Sequence, residues 1–289
     1  MNNSNLICQI LNYNDVLHVT QIVSKIKKYK VFKYILIVDN CSSDGSFNKL
    51  RKIYKDDTHI IVISTQRNGG YGYGNNFGIR YALTNLNVKR AIICNPDVEF
   101  NENTVIKLNQ LMSKTNAAIT SAVEVNKIPS VNKAWKIPTP LAWILDETKF
   151  RKLVFSQFHY SEDYFKKSYS EVDCVSGAMF LLDLQKFIEV GGYDENMFLY
   201  GEETVLGYKF KSRGYKTYLL NDFSYNHLHS ASIDKSIPDR VKQIKILNQS
   251  KLYFYKMYLK ENPFKYQLEK ACFKYIEQSR KVAGFLKKK

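Results

Sequence analysis

Long apolar runs are missing from this chain. No uncharged stretch approaches the roughly 18 to 20 residues that a membrane-spanning helix requires, and blocks such as Tyr34 to Val38 are strand-sized. The opening residues, Met1-Asn2-Asn3-Ser4-Asn5, place no basic segment before an apolar one, so no secretory signal is expected. Cysteine is sparse and dispersed: the five residues at 8, 41, 94, 174 and 272 form no close pairs. That excludes a disulfide framework or a zinc knuckle as the organising element, and the expectation is a reduced, cytoplasmic compartment. Only six prolines are scattered among 289 residues, of which 45% are hydrophobic and 24% charged. This composition excludes a disordered, collagenous or low-complexity chain and suffices for one large core or two small ones.

Acidic residues are also short in number, with 27 Asp and Glu against 43 Lys and Arg, a net charge of +16. The imbalance is local. Residues 239–289 hold 14 Lys and Arg against 4 Asp and Glu, a net +10, so the preceding 238 residues carry only +6. Aromatic residues are interleaved there: Tyr253, Phe254, Tyr255, Tyr258, Phe264, Tyr266, Phe273, Tyr275 and Phe285. The tail reads either as a solvated helical face with a packed aromatic stripe or as a helix lying on an anionic membrane surface. Nucleic-acid binding is disfavoured, because no recognition helix, finger or aromatic-bearing sheet motif accompanies the charge.

Short apolar runs alternate with amphipathic stretches over the first hundred residues. Leu6 to Leu11 predicts a strand, and Asn14 an N-cap for a helix carrying Val16, Val19, Val23 and Ile26. Tyr34 to Val38 predicts a second strand, Ile60 to Ile63 a third, Tyr81 to Leu86 a helix and Ala91 to Cys94 a fourth strand. This rhythm implies parallel strands with helices on both faces, a fold that binds ligands at the carboxyl ends of its strands. Residues 135–169 read as irregular. Strands are expected again at Val172 to Val175, Met179 to Leu182 and Lys216 to Leu220, with a helix from Glu202 to Arg213 capped by Gly214.

Five clusters sit where such a fold does chemistry. Asp39 ends the second strand, where a carboxylate accepts either from the ring N–H of uracil or thymine or from its own turn. The run Arg67 to Gly78 contains glycines at 69, 70, 72 and 74. They suit backbone N–H groups approaching a diphosphate, or a ligand-free loop. Asn95-Pro96-Asp97 follows the fourth strand and offers oxygen ligands to Mg²⁺ or Mn²⁺, or a capped proline turn. Glu202 and Glu203 open a helix, placed there by the dipole or by the need for a general base. His227 and His229 alternate on an extended segment and can face one site or serve structure.

Taken in order, these clusters resemble the family-2 inverting glycosyltransferases of the GT-A fold, and most closely the rhamnosyltransferase-like branch of bacterial surface-polysaccharide assembly. The match is carried by Ile37 to Ser46, Asn68 to Gly78, Cys94 to Asp97, Val175 to Phe180, Gly191 to Glu195 and Phe198 to Glu203, and spans about residues 6–232. The resemblance implies an α/β fold with a Rossmann-like, mostly parallel sheet. A GT-A domain would occupy 1–235, with a nucleotide-binding half over 1–100 and an acceptor and catalytic half over 101–235, before a basic helical tail over 236–289. It further implies that Asp39, Asn68, Gly69, Gly70, Asn76 and Asn95 bind the nucleotide and that Asp97 and His227 hold Mg²⁺ or Mn²⁺. Glu203 would be the catalytic base and Glu202 its partner, with Gly177, Asp194 and His229 facing sugar or acceptor. Asn95 replaces the first Asp of the family's metal motif, and Glu203 stands where the base is usually Asp.

The expected reaction moves a sugar, from dTDP-rhamnose or a UDP-sugar, to a glycan acceptor, in one displacement that inverts the anomeric carbon. Polyprenyl-diphosphate-linked glycans are the acceptors such a pathway implies, with the tail peripheral at the inner face of the cell membrane. The alternatives are a nucleotide-sugar-binding homologue without turnover, a sugar nucleotidyltransferase and a basic nucleic-acid-binding protein. The nucleotidyltransferase reading wants a glycine-rich loop after the first strand, where this chain has Asn12-Tyr13-Asn14-Asp15.

Overall fold

The computed structural model describes residues 5–125, 133–146, 148, 150–228 and 240–286. Its first half runs β1 (Leu6–Asn12), α1 (Val16–Ile26), β2 (Tyr34–Asp39), α2 (Ser46–Tyr54), β3 (Ile60–Ser64), α3 (Tyr71–Asn85) and β4 (Arg90–Cys94). The second half continues with β5 (Val98–Glu99), α4 (Glu102–Thr115), β6 (Ile119–Val125), α5 (Pro140–Asp146), α6 (Arg151–Phe158) and β7 (Tyr169–Val172). It ends with β8 (Met179–Asp183), α7 (Leu184–Glu189), α8 (Glu202–Ser212) and β9 (Thr217–His227). Two tail helices follow, α9 (Arg240–Met257) and α10 (Pro263–Leu286).

One sheet runs through the molecule in the order β3-β2-β1-β4-β8-β6-β9-β5, with β7 also paired to β9. The four strands of the first half are parallel neighbours. From β8 onward the sheet is mixed, because β8 lies antiparallel to both β4 and β6 while β6 and β9 are parallel. The expected α/β sheet with helices on both faces is present, its parallel pairs being those of the first half together with β6 and β9. Alternation along the strands explains why both faces are covered. Leu6, Cys8 and Ile10 of β1 face one core layer under α1, α2 and α4, while Ile7 faces the other under α3, α7 and α8. β2 and β4 divide their apolar residues in the same way, as strands buried on both faces must.

Several local expectations need correction. Asp15, not Asn14, is the N-cap of α1, and Asn14 takes a left-handed φ of 55°. Its side-chain oxygen instead accepts from the Ser43 N–H at 2.9 Å and fastens the turn after β2. The helix expected from Tyr81 begins ten residues earlier, so Gly72, Gly74 and Gly78 lie inside α3 rather than in a loop. Close packing explains glycine there despite its weak helix propensity. A Cβ on Gly74 would stand 2.4 Å from Leu11 Cδ1, and one on Gly78 2.5 Å from Gln9 Oε1. The strand expected at Val172 to Val175 ends at Val172, and the stretch 135–169 contains α5 and α6.

The tail aromatics divide into two sets. Phe254 and Tyr255 of α9 and Phe273 and Ile276 of α10 are buried with Trp143 of α5, Met197 and Val205 in a third apolar cluster. Lys251 is 2% exposed, with its ammonium 5.2 Å from the Trp143 ring and 5.5 Å from the Phe273 ring, so one cation joins three helices. Phe264, Leu268 and Tyr275 of α10 point outward, at 79%, 59% and 72% exposure. Among the described residues no helix is long and apolar enough to cross a membrane.

Candidate active site

The carboxyl ends of the parallel strands bring Asn12, Asp39 and Ser64 to one row of the sheet. Asp39 is fully buried and its carboxylate is held on both oxygens. Oδ1 accepts from Asn12 Nδ2 at 2.7 Å, and Oδ2 from the Ser42 N–H at 2.9 Å. Its neighbour Asn40 reaches across to β3's exit, donating to Asn68 Oδ1 at 3.1 Å and to the Gly70 carbonyl at 3.0 Å. Asp39 and Asn68 therefore belong to one hydrogen-bonded rim.

The glycines at 69 and 70, expected to approach a diphosphate, also pack closely against the chain around them. Gly70 has φ +90°, its N–H donates to Asn68 Oδ1, and the next N–H, of Tyr71, donates to the Phe198 carbonyl at 3.1 Å. A Cβ on Gly70 would sit 2.0 Å from that same carbonyl oxygen, and one on Gly69 2.4 Å from the Tyr73 ring. The run thus docks the start of α3 on the loop that leads to α8. Asn76 is likewise turned away from the rim. Its amide donates to the Tyr193 carbonyl and to Glu195, and its oxygen accepts from the Tyr193 N–H.

Beyond β4, Asn95 is partly exposed and pairs its backbone N–H with the Ala178 carbonyl, while Asp97 is buried. The strand β9 runs on to His227, past the expected end at Leu220, because β5 pairs Val98 with His227. His227 Nε2 then lies 3.3 Å from Asp97 Oδ1, and Nδ1 lies 3.0 Å from Glu124 Oε1. Glu124, near the end of β6, also accepts from the Tyr225 hydroxyl at 3.2 Å. Burial pulls the imidazole's pKa down, but hydrogen bonds and charge from Asp97 and Glu124 outweigh it and push it up to about 9. His229 lies outside the described residues.

Among the described residues no three His, Cys, Asp or Glu side chains converge on a metal position. The pair Asp97 and His227 nevertheless fits a divalent cation that takes further ligands from phosphate and water. One hard oxygen and one imidazole nitrogen face each other, and the far ring nitrogen is anchored on a carboxylate as metal-binding histidines commonly are.

The acid pair opens α8 after Gly201, whose φ of +85° turns the chain into the helix. Glu202 is buried, its carboxyl raised well above the ordinary range by desolvation and by the charge of Glu203. Glu203 turns its carboxyl inward against Gly177, so that a Cβ there would lie 2.6 Å from Oε1. Desolvation raises its pKa. Hydrogen bonds from its own N–H and that of Gly177 oppose the shift, and the charge of Glu124 adds to it. Tyr71 steadies the arrangement by donating to the Gly177 carbonyl at 2.7 Å. Asp194 is held by the tail instead of facing outward. Its Oδ2 accepts from Tyr253 at 3.0 Å and Tyr258 at 2.5 Å. Burial raises that carboxyl, but these bonds and those from Asn196 hold it below its ordinary pKa.

Asp97, His227, Gly177, Glu202 and Glu203 are thus brought to one region of the molecule. Asp39 and Asn68 form its neighbouring rim, while Asn76 and Asp194 are committed to bracing. Glu124 and Tyr71 were not found from sequence. Glu124 carries the same signal as Asp39 and Asp97, an acid closing an apolar run, whereas no local pattern marks Tyr71.

The family model described as glycosyl transferase family 2 matches residues 10–191. The low-salt glycan biosynthesis hexosyltransferase of Haloferax volcanii is 31% identical over 203 residues, covering 69% of this chain. The chain spans 59% of the length of that curated relative. A structure of GalNAc-T7 with UDP, GalNAc and Mn²⁺ superposes with a TM-score of 0.61 at 18% identity, covering 86% of this chain and 49% of that one. The mannosyltransferase of Pyrobaculum calidifontis with GDP-Man and Mn²⁺ gives a TM-score of 0.59 at 12% identity, covering 96% and 68%. These likenesses show the GT-A fold.

Proposed function

The chain belongs to glycosyl transferase family 2, and from that premise we propose that it transfers a hexosyl or rhamnosyl group from a UDP- or dTDP-sugar to a hydroxyl of a glycan acceptor. The observation that carries this reading is the Glu203 carboxyl, raised in pKa and held against Gly177 beside the Asp97–His227–Glu124 chain. A carboxylate of that kind suits a general base working near neutral pH. Glu203 takes the proton from the acceptor hydroxyl as its oxygen attacks C1 of the donor sugar opposite the diphosphate. One displacement without a covalent intermediate inverts the configuration. Glu202, buried beside it at the start of α8, is its partner, while desolvation and the charge of Glu124 keep the base's pKa up.

Asp97 and His227, with Glu124 orienting the imidazole, are the residues that would hold Mg²⁺ or Mn²⁺, whose charge neutralises the diphosphate. Asp39 and Asn68 hold the nucleoside end, where Asp39 exchanges the Asn12 or Ser42 bond for a base N–H. The test is a thermal-shift panel of UDP, dTDP, GDP, CDP and ADP, each with and without Mn²⁺. A metal-dependent rise with UDP or dTDP alone is expected, about 2.7 kcal/mol at a hundredfold excess over the dissociation constant. A panel flat for all five overturns the reading.

Gly177 offers a finer check. In Gly177→Ala the new methyl meets a movable carboxyl rather than backbone. The melting temperature should change little, while kcat falls on the order of a hundredfold as the base is displaced by about 1 Å. Equal kcat in the two proteins would place the base elsewhere.

The division into a catalytic domain over 1–235 and a tail over 236–289 belongs to the same proposal, with a polyprenyl-diphosphate-linked acceptor at an anionic membrane face. Phe264, Leu268 and Tyr275 lie at positions i, i+4 and i+11 and so share a stripe of α10, with Lys265 and Lys274 exposed on its flanks. Such a stripe suits the headgroup boundary. Replacing the three by Ser should abolish co-sedimentation with anionic liposomes at low salt while leaving nucleotide binding intact. Unchanged sedimentation would remove the membrane from the proposal.

A further inference from the structure

A cavity of about 490 Å³ opens between the nucleotide rim and the tail. Tyr13 and Asn68 line it on the rim side, Phe198 on the loop before the acid pair, and Lys242, Gln249 and Tyr253 on α9. We propose that this face of α9 is a wall of the donor site and that Lys242 and Gln249 contact the nucleoside-diphosphate part of the donor. The inference rests on the transferase reading and adds to it an element from outside the matched segment, which ends at residue 191.

Three observations carry it. First, the face is built for the cavity. Lys242, Ile246, Gln249 and Tyr253 recur at i, i+4, i+7 and i+11, so one side of α9 lines the opening while Phe254 and Tyr255 are buried in the apolar cluster. Second, the wall is fixed in place. Ser250 Oγ donates to the Leu199 carbonyl at 3.0 Å, and Tyr253 donates to Asp194 from the same helix. Third, the chemistry selects an anion with flat or carbon-bearing faces. Among the described residues the lining contains a lysine, three carboxamides and three aromatic rings, and no carboxylate. A neutral polyol acceptor is commonly held by carboxylates accepting from its hydroxyls, whereas a diphosphate rejects them. The position agrees: Tyr13 follows Asn12, which bonds Asp39, and Asn68 bonds Asn40.

Both Lys242 and Gln249 are exposed on a helix, so their replacement leaves packing intact. The experiment is calorimetric titration of UDP and dTDP with Mn²⁺ into wild type, the double variant Lys242→Ala/Gln249→Ala, and Lys245→Ala. Lys245 is an exposed cation of the same helix outside the lining, and controls for bulk charge. The double variant should bind nucleoside diphosphate about tenfold more weakly, with Lys245→Ala like wild type. Wild-type affinity in the double variant overturns the proposal. Equal weakening by Lys245→Ala also overturns it, since general charge would then explain the effect. Failure of the wild type to bind any nucleotide would instead remove the transferase reading beneath it.

Discussion

Glu203→Gln is expected to lower turnover by roughly two to four orders of magnitude while nucleotide affinity stays within a factor of two or so. The amide keeps the shape and hydrogen bonds of the carboxyl but cannot accept the acceptor's proton. Single-turnover kinetics with saturating donor would separate chemistry from binding. A variant with more than a tenth of wild-type turnover would exclude Glu203 as the base. The pH profile adds a second readout. Desolvation raises the Glu203 carboxyl and the base must be ionised, so the acidic limb of kcat should lie above the ordinary carboxylate value of about 4.3. Glu202 has its own signature. Its folded-state pKa is raised, so its contribution to stability is present in acid and lost as pH climbs through that raised value. Glu202→Gln should therefore raise the melting temperature near pH 7 and not below about pH 4, measured by calorimetry at both.

Gly70→Ala should destabilise the protein by about 3 to 5 kcal/mol or prevent its accumulation, because two independent penalties fall on one atom. The residue has φ +90°, which an alanine adopts only under strain, and the methyl would meet the Phe198 carbonyl at 2.0 Å. Neither partner is a flexible side-chain end, so relief requires moving the start of α3 away from the 197–201 loop. Gly45→Ala is the natural control. It shares a positive φ but has no heavy atom near the added carbon, and should cost only the strain, about 1 to 2 kcal/mol. Equal melting temperatures for the two variants would show that the close approach at Gly70 is unimportant.

The first half of the fold was legible because its strands are short apolar runs, those of β1, β2 and β4 buried on both faces, that lead into polar residues. That position marked Asp39 and Asp97 as candidates, with a turn or cap as the alternative at each, and their expected roles came from the family resemblance. The glycine run was misread as a loop since a helix propensity is a local quantity, whereas the reason for those glycines is the approach of Leu11 and Gln9 from another strand. Asp194 and Asn76 look like site residues in a motif, but Asp194 is held by Tyr253 and Tyr258 and Asn76 by Tyr193 and Glu195, all over fifty residues away in sequence. The tail's charge and aromatics were visible, yet which rings are buried depends on Trp143 and Met197, which no periodicity within the tail can indicate.

Tyr253, Tyr258 and Ser250 fasten the segment between Asp194 and Leu199, just ahead of the acid pair. A ribosome makes those three residues after everything they hold. The β1–β4 half can collect its strands during synthesis, but the loop before Glu202 stays without its clamp until α9 has emerged. Chains that stop before α9 therefore carry the strands of the sheet without the three hydroxyls that hold the segment ahead of Glu202.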